Sequence, residues 1–255
     1  MISIKNLHKS FKKNQVLLGI DLSFDHKGIT AVLGPNGSGK TTLIKTILGM
    51  VIPDEGEVLF QGENILEKWK YRNQIDYLPQ IARFPENIYV NELLGMVKDL
   101  RAQDANDEEL IELFELKPFL EKRLGHLSGG TRQKVNLVQS FMFDSPVIIL
   151  DEPTSGLDPV AMIRLKALIN KEKEKGKTIL VTTHIMSFVE GIADDVVFLL
   201  EGKVHFHGSL KTLKEKYQES NVERAIARIL QNNQPTINKN GKEVNPNNSQ
   251  IKVKI

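Results

Sequence analysis

The chain has 255 residues, of which 40% are hydrophobic. It therefore holds enough apolar side chains for the core of one or two domains, and disorder over most of its length is excluded. Its formal net charge of +2 excludes a broad phosphate-neutralising field of the kind that holds nucleic acid. It contains no cysteine, which excludes disulfides, thiolate zinc sites and cysteine nucleophiles.

The apolar runs are too short for a membrane-spanning helix. The longest, such as 147–150 and 196–200, have the length of strands, whereas a spanning helix needs roughly 20 residues. Lysines near the N-terminus interrupt every apolar stretch before the core of a signal peptide can form. We therefore predict a cytoplasmic protein that does not insert into a bilayer directly.

Hydrophobic periodicity predicts an α/β chain. In order, the predicted elements are alternating strands within 2–4 and 18–24, a buried strand at 29–33, a helix at 41–48, strands at 57–60 and 75–78, a helical region at 91–143, a strand at 147–150, a helix from 158 to 176, and strands at 178–182 and 196–200. The first strands are expected to pair antiparallel, and the later alternation of strand and helix predicts a mostly parallel sheet. From residue 232 the composition turns polar, which predicts a mobile tail to residue 255.

A glycine-rich segment follows the buried strand at 29–33 and precedes a helix. It consists of Gly34, Pro35, Asn36, Gly37, Ser38, Gly39, Lys40, Thr41 and Thr42, which match the phosphate-loop pattern G-x-x-x-x-G-K-[ST]. Glycines let backbone N–H groups turn toward a phosphate chain, Lys40 supplies charge for the β and γ phosphates, and the Thr41 hydroxyl is placed to bind Mg²⁺. The alternative is a glycine turn with a solvated lysine, against which the strand and helix context argues. The segment therefore predicts nucleotide binding.

A buried strand ends in two acidic residues, Asp151 and Glu152. A carboxylate at such a position can hold a metal opposite a phosphate loop, and we assign this role to Asp151. Glu152 is then a candidate general base for the attacking water. Taken alone, the pair is better explained as a helix cap or a surface ion pair. The phosphate loop in the same chain shifts the balance toward catalysis.

Ser128, Gly129 and Gly130 stand before an amphipathic helix. Capping by Ser128 is the simplest explanation. The sharper hypothesis is that this helix N-terminus is a second anion-binding point, which one nucleotide held by a phosphate loop does not need. A second anion-binding point in the same chain suggests that the 128–130 segment acts on nucleotide bound by another copy.

Taken together, these segments form a recognisable set. They are 34–42, Gln80 after Tyr77-Leu78-Pro79, 127–130, 148–153, 155–158, and His184 after Thr182-Thr183. In this order and spacing, residues 1–217 resemble the ATP-binding subunit of ATP-binding cassette (ABC) transporters. The resemblance implies a P-loop NTPase core with a mostly parallel sheet, an N-terminal antiparallel β-subdomain and a helical subdomain inserted at about 85–143. A C-terminal helix at 218–231 is expected beyond the ATPase domain.

The resemblance also implies roles for single residues. Gln80 resembles the glutamine that approaches Mg²⁺ and the water, and His184 resembles the histidine that contacts the γ-phosphate and aligns Glu152. Asp158 resembles a loop carboxylate that communicates across a dimer, although its N-cap role can be the whole explanation. Phe11 stands where the family places an aromatic ring under adenine. Judged alone, Gln80 is a loop amide, His184 a structural residue as often as not, and Phe11 a core side chain.

Two departures from the family pattern stand out. Thr131 occupies the position after the two glycines where glutamine is most frequent, which puts in doubt only side-chain contacts near the sugar. Phe11 replaces a frequent tyrosine, which keeps the ring face and loses one hydroxyl.

The family resemblance implies partners as well. Two such subunits, identical or homologous, are expected to pack head to tail around two Mg²⁺-ATP, each held between the 34–42 loop of one chain and the 128–130 segment of the other. Because no spanning helix is predicted, transport requires separate permease subunits, which are expected to dock near Gln80 and the 84–90 segment and to hold the chain at the inner face of the membrane. The compact helical region resembles that of exporter or copper-processing ATPases.

Two other functions compete with transport. A soluble cassette ATPase of scaffold assembly, of the iron–sulfur cluster type, uses the same catalytic residues, so only the partner separates it from a transporter subunit. A nucleic-acid-associated cassette protein predicts a basic stripe or a long coiled-coil insertion, and the balanced charge and short helical region argue against it.

Overall fold

The computed structural model describes residues 1–25 and 27–233, together with two short strands near the C-terminus. The strands are β1 (Ile2–Phe11), β2 (Asn14–Phe24), β3 (Gly28–Leu33), β4 (Glu55–Phe60), β5 (Glu63–Asn64), β6 (Ile75–Leu78), β7 (Val147–Asp151), β8 (Thr178–Thr183), β9 (Asp195–Leu200), β10 (Lys203–Ser209), β11 (Thr236–Ile237) and β12 (Glu243–Val244). The helices are α1 (Lys40–Ile47), α2 (Val90–Arg101), α3 (Asp107–Leu113), α4 (Gly129–Phe141), α5 (Pro159–Glu174), α6 (Met186–Glu190), α7 (Leu210–Tyr217) and α8 (Val222–Asn233). Three 3₁₀ turns lie at Lys70–Gln74, Lys117–Phe119 and Leu124–His126. Apart from the end of α8 and the β11–β12 pair, the predicted tail at 232–255 lies outside the described residues.

The large sheet has the strand order β10-β9-β3-β8-β7-β6, and only β10 runs antiparallel to its neighbour. Every residue of β3, β7 and β8 is buried, and β3 and β7 are accordingly almost entirely apolar, as is usual for strands covered on both faces. Parallel pairing puts the carboxyl ends of β3, β6, β7 and β8 at one edge of the sheet. The loops that leave this edge carry the phosphate loop, Gln80, Glu152 and His184, so one sheet edge positions the candidate site.

The N-terminal strands form a separate sheet of order β2-β1-β4-β5, paired antiparallel as predicted. Helix α1 contributes Leu43 and Ile44 to a buried cluster that also contains side chains from both sheets. Burial of a side chain of this size contributes about 1.5–3 kcal/mol, so α1 is fixed against both sheets. Strand β4 begins at Glu55, two residues before the predicted start. The reason is Gly56, whose φ is +85° and whose added Cβ would lie 2.2 Å from the Asn6 carbonyl oxygen, so glycine lets β4 pair with β1 there.

Helices α2 to α4 lie between β6 and β7 in sequence and pack as a helical segment through Leu93, Phe114 and Val138. The chain that enters α2 is hydrogen bonded to the chain that leads into α4. Leu124 N donates to Ile88 O over 3.0 Å, and the Gly125–Glu86 and Val90–Lys122 backbone bonds continue the pairing. The stretch after Gln80 and the stretch before Ser128 are therefore tied together along their backbones.

The C-terminal elements pack on the β9 side of the sheet, where Phe206, Leu213 and Ile226 join one buried cluster. The sequence patterns did not predict β10 at 203–209. They placed a helix at 218–231, whereas α7 ends at Tyr217, the next residue Gln218 has a φ of +53°, and α8 begins only at Val222. The Asn221 side chain accepts a hydrogen bond from Arg224 N over 2.9 Å and so marks the new helix start.

Among the described helices, none is both long and apolar enough to cross a membrane.

Candidate nucleotide-binding site

The glycine-rich loop wraps around the Lys40 side chain. Lys40 Nζ donates to Gly34 O over 2.8 Å and to Pro35 O over 3.2 Å. An added Cβ on Gly34 would lie 2.1 Å from the Leu199 carbonyl oxygen, so this position accepts only glycine. Burial lowers the pKa of Lys40, and the negative charges of Glu152 and Asp151 oppose that shift. The loop therefore holds a buried cation close to two carboxylates.

An open cavity of about 400 Å³ borders this loop, a volume within the range of small-ligand sites. Its lining residues are Asn14, Val16, Asn36, Gly37, Gly39, Lys40, Thr41, Thr42, Gln80 and Glu152. The fold thus brings Gln80 and Glu152 to the phosphate loop although they are far apart in sequence.

The two acidic residues at the end of β7 differ in geometry. Asp151 is buried, its Oδ1 accepts a hydrogen bond from the Thr182 hydroxyl, and its Oδ2 is buried with no hydrogen-bond partner. Glu152 has a φ of +52°, in the left-handed region. Its N–H donates to Thr182 O over 3.0 Å and to Thr182 Oγ1 over 3.1 Å. Such a backbone costs roughly 1–3 kcal/mol, and the two bonds to Thr182 hold it in place.

His184 follows β8 and lies beside the neighbouring strand end. Its Nδ1 is 3.0 Å from Glu152 Oε2, and its ring is 64% exposed while the Glu152 side chain is 6% exposed. A buried carboxylate contacting an exposed imidazole suits a general base with an orienting partner. Burial and the charge of Asp151 raise the pKa of nearby Tyr77 to about 12, so its phenol stays neutral and is no competing base.

The donor set fits Mg²⁺. Thr41, Gln80 and Asp151 offer the oxygen atoms that this ion prefers, and the unpartnered Oδ2 of Asp151 is a free buried ligand atom. The described residues hold no group of three or more histidines and acids that could bind a metal on their own. The chain could therefore supply part of a coordination shell, which phosphate oxygens and water would complete, as is usual for Mg²⁺ in nucleotide sites.

The structure does not bring the remaining predicted residues into this cavity. Ser128 caps α4 by accepting from Thr131 N over 3.2 Å, and Gly129 and Gly130 form the first turn. Asp158 caps α5 through Ala161 N at 2.8 Å and pairs with Lys134 Nζ at 2.8 Å, which lowers the pKa of Asp158. These residues form a second group, in which an added Cβ on Gly130 would lie 2.7 Å from Gly156 O.

Phe11 also lies outside the cavity lining. Its ring is about half exposed, with Lys9 Nζ 5.4 Å from the ring centroid. Asn14 and Val16, at the start of β2, line the cavity instead. The sequence analysis missed both, and the only signal was their place three to five residues after Phe11.

The family model described as "ABC transporter" matches residues 17–155. The chain belongs to the ABC transporter family. It is an ATP-binding subunit of this family, and its ATPase activity is coupled to transport.

Curated relatives of this ABC ATPase cover most of its length. The uncharacterised ABC transporter ATP-binding protein YxlF of Bacillus subtilis is 32% identical over 87% of this chain and 75% of its own. Nod factor export ATP-binding protein I of Burkholderia lata is 32% identical over 84% and 72%. Thiamine import ATP-binding protein ThiQ of Vibrio parahaemolyticus is 30% identical over 82% and 92%. The names of these relatives include both directions of transport.

Solved structures share the fold of this ABC ATPase. An ATP-binding subunit of an ABC transporter superposes with a TM-score of 0.83 at 28% identity, covering 90% of this chain and 99% of the other. The dimeric structure of the bacterial cassette MJ0796 gives a TM-score of 0.74 at 24% identity, covering 82% and 99%.

Proposed function

We propose that this ABC ATPase binds Mg²⁺-ATP in the cavity at the 34–42 loop and hydrolyses it to ADP and phosphate. The observation that carries the proposal is the grouping of Lys40, Thr41, Gln80 and Glu152 around one cavity, with His184 in contact with Glu152. A buried cation, hydroxyl and amide oxygens and a positioned carboxylate are the parts that phosphoryl transfer to water requires.

Each group has its own part in the reaction. Lys40 holds the β and γ phosphates, and Phe11 stacks on the adenine ring. Thr41, Gln80 and, through water, Asp151 hold Mg²⁺, which when bound neutralises charge on the phosphates. Glu152 accepts a proton from the attacking water at a carboxylate oxygen. His184 keeps that carboxylate oriented and reaches the γ-phosphate.

The second group of residues serves the site of another subunit. Ser128, Gly129 and Gly130 form the N-terminus of a 13-residue helix, which favours anions, yet they lie outside this chain's own cavity. We propose that two subunits, identical or homologous, pack head to tail so that this helix closes on the partner's ATP. Asp158, which pairs with Lys134 of the same helix, is proposed to lie at the same interface.

Separate permease subunits complete the transporter. Ile81 follows Gln80 directly in sequence and is an exposed apolar side chain, and Met96 and Leu100 are exposed on α2, which follows the 84–90 segment. A further cavity of about 540 Å³ is bordered by exposed Ile52 and Trp69 and by Arg72. Apolar side chains grouped on a surface mark a protein interface. Docking there holds the subunit, in the cytoplasm, against the inner face of the membrane.

We propose export as the direction of transport, on the support of the compact helical segment between β6 and β7. The competing function is a cassette ATPase of scaffold assembly, which no specific contact in the structure favours. Co-purification of the native protein separates them. A polytopic membrane protein is expected to co-purify. Co-purification of a soluble β-helical scaffold would instead indicate a scaffold-assembly ATPase.

Dilution of the purified subunit tests the shared site. Because each ATP needs two chains, turnover per chain is expected to fall as the chains separate. Turnover independent of concentration down to the monomeric range would contradict the shared site.

A further inference from the structure

A carboxylate is buried in the strand that leads to Gln80. Asp76 lies on β6, is 3% exposed, and stands four residues before Gln80. Burial raises the pKa of Asp76, and the charge of Arg101 opposes the rise. A charge at such a position needs a partner, because the cost of removing it from water is otherwise uncompensated.

That partner comes from the helical segment. Arg101, the last residue of α2, forms an ion pair with Asp76 Oδ1. Its Nη2 also donates to Ile75 O over 3.1 Å and to Asn73 O over 3.2 Å. The guanidinium lies 4.7 Å from the ring centroid of Phe143. One side chain therefore joins the end of α2 to both the start of β6 and the turn before it.

The same helix offers a contrasting ion pair one turn earlier. Lys98 Nζ contacts Asp107 Oδ2 over 2.8 Å, which links α2 to α3 within the helical segment. Lys98 and Arg101 thus share a helix and a charge, but only the Arg101 pair reaches the strand of Gln80.

We propose that Arg101 is a positioning residue for ATP hydrolysis, which acts through Asp76 and β6 on Gln80. The inference rests on the proposed role of Gln80 and adds a direct link between the helical segment and the strand that leads to that side chain. Because β6 ends at Leu78, only Pro79 separates the strand from Gln80, so a displacement at Asp76 is passed along a short, hydrogen-bonded stretch. Loss of the link is expected to affect the chemical step more than ATP binding.

The double variant Asp76→Leu with Arg101→Met tests this link without leaving an unpaired buried charge, since an apolar pair of similar volume is tolerated at such sites. Its kcat is expected to fall about tenfold, which lies within the range of coupling between contacting residues, with KM for ATP and Tm close to those of the unaltered protein. The double variant Lys98→Met with Asp107→Leu removes the other ion pair of α2 in the same way, and this matched control is expected to keep the unaltered kcat.

A second measurement separates positioning from general damage. The Asp76→Leu, Arg101→Met pair is introduced into a Gln80→Ala background, where the positioning residue has nothing left to position. The tenfold loss should then disappear. An equal loss in both backgrounds, or an unchanged kcat in the first, would overturn the inference. Absence of Mg²⁺-ATPase activity in the unaltered protein would instead remove the proposed function itself.

Discussion

Glu152 shows at the scale of a single residue how much of this site depends on tertiary contacts. Its left-handed backbone and its buried carboxylate both oppose folding, and both are held by neighbours on β8 and directly after it. Thr182 accepts the Glu152 N–H through two oxygens, and His184 contacts the carboxylate. A strained residue fixed by an adjacent strand keeps its orientation when substrate arrives, so the geometry favours a pre-organised base.

Replacing this base while keeping its shape gives the first prediction. Glu152→Gln is expected to retain ATP binding and to slow hydrolysis on the order of a hundredfold or more, because the amide cannot accept the proton of water. Single-turnover hydrolysis and equilibrium nucleotide binding, measured on the same preparation, check both halves. Near-normal turnover would remove Glu152 from the role of base.

Lys40 gives a contrasting prediction at the same scale. Lys40→Ala removes the buried ammonium held by Gly34 O and Pro35 O, and nucleotide affinity itself is expected to fall, since a point charge for the phosphates is lost. Calorimetric titration with Mg²⁺-ATP measures the change. A fold control comes from circular dichroism, and an unaltered Kd in a folded variant would count against the phosphate-loop assignment.

At the scale of elements, the N-termini of α4 and α5 are stabilised by their caps and are also proposed to contact a second subunit. Helices α4 and α5 begin at Ser128 and Asp158, whose side chains accept backbone N–H groups of the first turn. Lys134 of α4 also pairs with Asp158. The two helix starts are therefore joined, and a change at either cap acts on stability as well as on any contact with a second subunit.

Substitution at Asp158 separates its role as a helix cap from a role in ATP hydrolysis. Asparagine caps a helix as well as aspartate does, so Asp158→Asn should keep Tm close to its original value, whereas Asp158→Ala should lower it by about 2–4 °C. Thermal unfolding checks this order. If Asp158→Asn nevertheless lowers ATPase activity, the carboxylate charge acts in the reaction. Equal activity of the asparagine variant and the unaltered chain would reduce Asp158 to a cap.

The sequence predicted those elements whose local pattern agrees with their burial. Apolar runs located β3, β7 and β9 because these strands lie inside the sheet, and Asp158-Pro159 located the start of α5 because both residues suit a helix N-terminus. Strand β10 was missed since Phe206 is its only fully buried residue. Its pairing with β9 is set by tertiary contact.

In the candidate site, too, features set by local sequence were predicted and features set by tertiary contacts were not. The phosphate loop is contiguous and was predicted from its own residues, and the parallel strands then brought Gln80 and Glu152 to it. The left-handed backbone of Glu152 was not predicted, because local propensity disfavours it and only the bonds to Thr182 impose it. Val16 and Asn14 were missed because nothing in their chemistry distinguishes them from ordinary strand residues.

At the scale of the whole molecule, the residues proposed for one ATP lie in two places. The cavity at the phosphate loop contains the groups for binding and hydrolysis, while Ser128 at the α4 N-terminus is exposed and outside it. Under the proposed function, a single chain carries half of each of two sites, and the proposed head-to-tail pairing would unite the halves.

Complementation tests this arrangement. Chains with Lys40→Ala and chains with Ser128→Arg are each expected to be inactive alone, because every site in either dimer lacks one half. When they are mixed, one site of the mixed dimer combines an intact loop with an intact helix start, so partial ATPase activity should return. The exposure of Ser128 makes the arginine compatible with folding. No recovery in mixtures shown to exchange subunits would contradict the two-chain site.

The chain contains a single tryptophan, Trp69, and its indole is 61% exposed beside the cavity bordered by Ile52 and Arg72. The protein therefore carries an intrinsic optical probe on the face assigned to the permease, whereas Trp69 does not line the nucleotide cavity. Contact with an apolar helix would move its emission to shorter wavelength, while filling of the nucleotide cavity would leave the indole in water. The proposed docking on a permease would thus be visible by fluorescence without a label.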